Sequence, residues 1–225
     1  MRILALLGAG AAQDSPPVRL CEVAAEVVAV SGAGVMLMAD DLPRDSVCSS
    51  NPVSQLIEDL QYTLGEGPCI DAYRLDRPVL EVDLAYPAAP RWLAFASPAL
   101  AAGARAVFGF PLSVGAVRLG ALNLYTERAG ALSEDQHRDA LVMADVAARA
   151  VLWMQAEAPV GTMAAELETG SNFHLLVHQA AGMVSAQADI SVTEALVRLR
   201  AYAFASDRAL AEVATDVVGR RLRFE

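Results

Sequence analysis

Residues 104–126 read ARAVFGFPLSVGAVRLGALNLYT. Two apolar runs, 104–114 and 117–126, flank Gly115-Ala116, and that spacing predicts a β-hairpin. Working outward toward the N-terminus, residues 78–84 alternate and predict another strand, and 90–102 return to helical character. Gly65-Glu66-Gly67-Pro68 reads as a loop by composition. The segment 53–64 predicts a helix with Leu56, Ile57, Leu60 and Leu64 on one stripe. Strands are expected over 35–39 and 45–50, joined by a turn at Asp40-Asp41-Leu42-Pro43. Before them, Ser15-Pro16-Pro17 opens a helix, since proline is tolerated in the first turn. Leu20, Val23, Ala24, Val27 and Val28 share its face, and Ser31-Gly32-Ala33-Gly34 ends it.

Toward the C-terminus, Ser133-Glu134-Asp135-Gln136 has the form of a capping box that starts a long helix to about residue 158. Its inner part, 141–154, is apolar almost all round. Leu141, Ala144, Ala148, Val151 and Gln155 form one face and Val142, Val146 and Leu152 another, a breadth that predicts a homodimer interface. Pro159-Val160-Gly161 breaks the pattern. Residues 173–224 then hold three apolar stripes: Val177, Ala180, Val184; Ala195, Leu196, Leu199, Tyr202; Leu210, Val213, Ala214, Val217. Ser191 and Glu194 form a second capping box, and Asp207 precedes the turn into the last helix. The order predicts an α+β domain followed by a three-helix bundle. The expected divisions are an apolar N-terminal helix over 1–14, the α+β domain over 15–158, a linker over 159–170 and the bundle over 171–225.

Composition narrows the function classes. The 225 residues are 55% hydrophobic and 20% charged, as expected of a packed globular protein. A net charge of −10 argues against non-specific coating of nucleic acid. All 17 basic residues are arginine. Residues 170–225 balance six arginines, all at or beyond Arg198, against six acids. Clustered arginines clamp phosphates or stack on bases, and Tyr202 and Phe204 offer stacking surfaces. Gly182, inside a helix, costs about 1 kcal/mol against alanine, which close approach of another helix or of a bound partner's backbone would justify.

Cys21, Cys48 and Cys69 show no metal-like spacing and are odd in number, predicting buried thiols in a reducing cytoplasm. The apolar run 3–7 is short for a signal peptide, and no run approaches the ~20 residues that cross a bilayer. His174 and His178 are four apart, but no Glu or Cys nearby completes a metal site. No nucleophile elbow, P-loop or dinucleotide glycine pattern appears, so neither catalysis nor a cofactor is expected.

Two segments carry family resemblances. LGEGPCIDAYRLDRPVLEVDL (64–84) together with GFPLSVGAVRLGALNLYT (109–126) resembles the GAF domains of actinobacterial regulators. That resemblance implies an antiparallel sheet flanked by helices that commonly senses small molecules. It implies a ligand pocket between the sheet and the segments around 60–73 and 92–95, with Tyr62, Cys69, Tyr73, Trp92 and Phe95 as candidates. No chromophore-bearing cysteine motif accompanies it. Some GAF domains resemble free methionine sulfoxide reductases, which use several cysteines; Cys48 and Cys69 would then meet on the sheet's ligand face.

The second resemblance is to the ANTAR domain, a helical module of transcription antitermination regulators that binds hairpins in nascent RNA. Gln179-Ala180 and Gly182-Met183 match in the first helix. Ser191, Glu194-Ala195, Leu199-Arg200 and Tyr202-Ala203 match in the second, and Leu210 and Val213-Ala214 in the third. Many members have a lysine where this chain has Ala181, which removes one candidate phosphate contact. The resemblance implies RNA contacts at His178, Gln179, Gly182, Arg198, Arg200, Tyr202, Arg208, Arg220 and Arg221. RNA stem-loops are then the expected partner, duplex DNA is not, and a protein-interaction scaffold is the rival reading.

Overall fold

A computed structural model describes residues 16–39, 42–87, 89, 91–157, 172–206 and 208–224. The chain divides into two compact units between residues 163 and 164. The expected N-terminal helix over 1–14 and the linker over 159–170 lie outside the described residues, as does Asp207.

The first unit contains, in chain order, α1 (Pro16–Val28), β1 (Gly32–Ala39), β2 (Leu42–Ser49), α2 (Pro52–Leu64), α3 (Pro68–Leu75), β3 (Val79–Glu81), α4 (Leu93–Ala101), β4 (Ala106–Val114), β5 (Val117–Thr126) and α5 (Glu134–Glu157). The sheet order is β2-β1-β5-β4-β3 and every pairing is antiparallel. The β4–β5 hairpin forms as its sequence predicts, turning at Gly115 with φ 60°, a conformation glycine adopts at little steric cost.

Strand alternation gives the sheet two faces. Ala33, Val35, Phe108, Phe110, Leu122 and Leu124 point toward α1 and α5 and build an apolar core with Val23, Met143 and Ala147. The box that starts α5 closes: Gln136 N–H donates to Ser133 Oγ at 3.2 Å and Ser133 N–H to Gln136 Oε1 at 3.0 Å. Ala144, Ala148 and Val151, expected on a dimer face, are buried in this core because the sheet takes that side of the helix. Leu141, Val142 and Trp153 remain exposed on α5.

The other face carries α2, α3 and α4. No helix is expected over 69–75, and Pro68, expected in the loop from Gly65, is instead the first residue of α3. Strand β1 begins three residues earlier than expected. Its glycines are not a helix stop but close approaches: a Cβ on Gly34 would sit 2.8 Å from Glu58 Oε1.

The second unit is a three-helix bundle of α6 (Asn172–Ala188), α7 (Val192–Ala205) and α8 (Leu210–Val218). Ser191 Oγ accepts the Glu194 N–H at 3.1 Å and caps α7. The core comprises Val177, Ala180, Ala181 and Val184 with Ala195, Leu196, Leu199 and Ala203, closed by Leu210, Val213, Ala214 and Val217. Tyr202, placed in that stripe by its spacing, is 37% exposed, and Ala203 takes the inner position.

Candidate functional site

The expected stripe of α2 holds in part: Ile57 is buried and Leu60 and Leu64 pack against an apolar cluster, but the helix also turns polar residues inward. Its buried residues are Ser54, Ile57, Glu58, Gln61 and Tyr62, while Leu56 is exposed. The helix thus turns a largely polar face to the sheet, an arrangement that costs stability unless each polar group is accommodated. The sheet accommodates it through one transverse row. Gly34 of β1 pairs with Asn123 of β5, which pairs with Gly109 of β4. Glu58 lies against Gly34, and the Pro68 carbonyl at the start of α3 occupies the space a Cβ on Gly109 would need. Two glycines therefore let α2 and α3 close down on either side of the buried Asn123 side chain.

Burial pushes the Glu58 carboxyl up to about 8; Asn123 and Ser46 pull against that rise and the Asp59 charge adds to it. Asn123 acts at this range, yet neither Glu58 carboxyl oxygen closes a hydrogen bond of ordinary geometry. Near neutral pH this is a protonated acid in the middle of the unit. Beside it, Gln61 Oε1 accepts the Cys69 N–H at 2.8 Å. The Cys69 thiol is fully buried, and burial, then the neighbouring Glu58, push it well above the usual thiol range. It is a protonated thiol, not a nucleophile.

The segment from Gly65 to Asp71 has a structural task at nearly every residue. Gly65 ends α2 in the left-handed conformation at φ 66°. Glu66 Oε1 accepts the N–H groups of Ala94 and Phe95 at 2.8 and 2.9 Å, capping α4. Gly67, at φ 135°, leaves room for the Gln61 side chain. Asp71 accepts the Trp92 indole N–H at 2.9 Å. All five residues expected around a pocket are accordingly buried. Tyr62 lies on α2, and Cys69 and Tyr73 on α3; the Arg118 guanidinium stacks 4.8 Å from the Tyr73 ring centre. Trp92 and Phe95 meet edge to face at 6.1 Å. A groove of about 460 Å³ opens elsewhere, lined by Val30, Ser31, Phe108, Thr126, Gly130 and Gln136.

The cysteines depart from expectation. Cys21 of α1 and Cys48 of β2 are joined as a disulfide with Cα atoms 5.9 Å apart, and Cys69 is the free thiol. Cys48 faces the α1 and α5 core. It does not share the polar side with Cys69: a register shift in the β1–β2 ladder leaves Val47 without a partner and turns Cys48, opposite Val35, to the other face of the sheet from Ser46.

The GAF domain family model matches residues 18–151, the span that holds the sheet, its helices and the buried polar row. The chain belongs to the GAF domain family. Among solved structures, the GAF domain from a phosphoenolpyruvate-protein phosphotransferase of Coxiella burnetii is similar at 13% identity, with a TM-score of 0.52 over 69% of this chain and 92% of that one. The corresponding Acinetobacter domain is 14% identical, with a TM-score of 0.49 over 69% and 91%. A free methionine-R-sulfoxide reductase of Neisseria meningitidis, solved with its substrate, is 16% identical with a TM-score of 0.47 over 65% and 84%. No curated protein sequence matches the chain. At these identities the first of these structures supports the GAF fold and nothing finer. Among the described residues, no helix is long and apolar enough to cross a membrane.

Beyond the GAF domain, the bundle sorts the implied RNA contacts. Gln179 and Gly182 are exposed on α6 and His178 is partly buried there. Among the described residues nothing lies within 4 Å of a Cβ built on Gly182, so no packing among them calls for a glycine. Ala181 is fully buried, so its position faces the bundle core and is not a site for a surface phosphate contact. Arg198 pairs with Glu194 at 3.2 Å along α7, and Arg200 is partly buried. Arg208 bonds Asp216 at 2.6 Å and approaches Glu212 at 3.8 Å. Arg221 bonds the other oxygen of Asp216 at 2.7 Å. These two guanidinium groups hold the Asp216 carboxyl below the usual range. Arg220 is exposed at the end of α8.

Proposed function

We propose that the chain is a non-enzymatic transcription antitermination regulator: its GAF domain is a sensory and dimerising unit, and its ANTAR-like bundle binds hairpin loops in nascent RNA. The observation that carries this reading is Gly182. It sits in a helix interior, exposed, with open space where a side chain would be, in the motif that resembles the RNA-binding family. A glycine held at a cost, with no neighbour among the described residues, fits close approach of an external backbone. Gln179 and Tyr202, also in the matching motifs, are likewise left out of the core. The exposed Leu141, Val142 and Trp153 on α5 fit the second copy that a dimeric regulator needs.

A catalytic role through cysteine lacks its parts. Cys69 is protonated and buried, and Cys48 is bonded to Cys21. The expected outcome of a thioredoxin-linked assay with a sulfoxide substrate is no turnover. In a competition gel shift, the full chain is expected to retain a labelled RNA hairpin in the presence of excess duplex DNA. Equal displacement by both competitors contradicts the reading. Gly182→Ala should raise bundle stability by about 1 kcal/mol while weakening hairpin binding; unchanged binding removes Gly182 from the interface.

A further inference from the structure

Within that RNA-binding reading, the helical arginines are mostly spoken for. Arg198, Arg208 and Arg221 each hold an acid within the bundle. Among the described residues, the exposed Arg220 and Arg223 form no ion pair, and both lie in the short segment after α8.

That segment is held in a defined shape. Arg220 takes the left-handed conformation at φ 58°. Its N–H donates to the Val217 carbonyl at 2.9 Å, and the Arg221 N–H to the Asp216 carbonyl at 2.7 Å. This pair of bonds is a Schellman close to the helix. The Arg221 side chain returns to Asp216, so the same residue anchors backbone and side chain. Farther on, the Phe224 N–H donates to Gln187 Oε1 of α6 at 3.1 Å, and its ring meets Tyr202 of α7 edge to face at 5.4 Å. The segment is thus a strap laid back over α6 and α7, ending in an aromatic pair that solvent still reaches, flanked by two cations that form no ion pair among the described residues.

We infer that this strap, residues 219–224 with Tyr202, is the element of the bundle that grips a single-stranded RNA loop. Arg220 and Arg223 meet loop phosphates, and the Tyr202–Phe224 pair stacks on an unpaired base. The chemistry is the general one for single strands: cations track the backbone while aromatic rings take bases of any identity. Arg208 and Arg221 act as positioning residues, fixing the strap through Asp216. Because the strap engages two cations, the salt dependence of binding is shallow.

The test uses the full chain and RNA hairpins with a fixed paired stem and a randomised loop, titrated over a range of salt. Arg220→Gly and Arg223→Ala should each flatten the plot of log affinity against log salt by roughly 0.7 to 1. Arg220→Gly suits the left-handed position, so its melting temperature should not fall. Arg198→Ala should leave the slope unchanged. Phe224→Ala should weaken binding by about fivefold to a hundredfold at every salt concentration, and Phe224→Trp should restore it. If the unaltered chain binds no hairpin, the RNA-binding reading falls and the strap with it. If it binds but the strap variants match it while Arg198→Ala flattens the slope, only the strap assignment is overturned.

Discussion

The two faces of the GAF sheet differ in their centres, although both carry an apolar cluster. The face under α1 and α5 is apolar throughout and is stapled by the Cys21–Cys48 disulfide. The face under α2 and α3 buries Ser54, Glu58, Gln61 and Asn123 and keeps Cys69 free. Both are closed to solvent, so burial alone does not distinguish them. A side built for stability alone would resemble the first. The second accepts a neutral acid and two amides in its centre, a cost that natural sequences mostly meet where a fold also carries function.

The difference can be broken from either side. Truncation of the apolar face by Phe108→Ala should cost about 3–5 kcal/mol, read from urea unfolding, because nothing polar there can rearrange to fill the space. A much smaller loss would mean that face is as plastic as the other. Next in size is the staple. Cys21→Ala, or a thiol reductant, should cost about 2–4 kcal/mol, since the bond closes a loop with a sequence separation of 27. Cys69→Ala should leave the response to reductant intact. A reductant-insensitive melting temperature would contradict the staple.

The effect most specific to the polar face is the smallest per step of its variable, here one pH unit. Between its ordinary value of 4.5 and about 8, Glu58 holds a proton in the folded chain that the unfolded chain has released. Its contribution therefore falls as pH rises through that window, by up to about 1.4 kcal/mol per pH unit, and levels off above it. Glu58→Gln should remove that slope. Unfolding curves of the two proteins that stay parallel between pH 5 and 8 would show that Glu58 is already ionised.

These faces were not equally legible in the sequence. The apolar one was: the hairpin at 104–126 and the Ser133–Gln136 box both follow local rules. The polar face was not. Apolar periodicity places Ile57, Leu60 and Leu64 against the core but also puts the exposed Leu56 there, and it misses Glu58 and Gln61, which the structure turns inward. Periodicity assumes that what is buried is apolar, and here that assumption fails. Helix α3 escaped for a related reason, since Gly65, Gly67 and Pro68 serve a cap, a close approach and a first turn at once. The disulfide joins residues whose proximity is purely tertiary. In the bundle, stripes and the Ser191 cap placed the helices, but the Tyr202–Phe224 contact and the Asp216 clamp depend on how the chain folds back after α8.

The functional account stands or falls on what the protein holds in cells. Crosslinking followed by recovery of the bound transcripts tests it most directly. The account predicts footprints concentrated on unpaired loops of stem-loop structures in nascent RNA, depleted when Arg220, Arg223 and Phe224 are changed together. Recovery of RNA no different from the bulk transcript pool, or of DNA in its place, would contradict it.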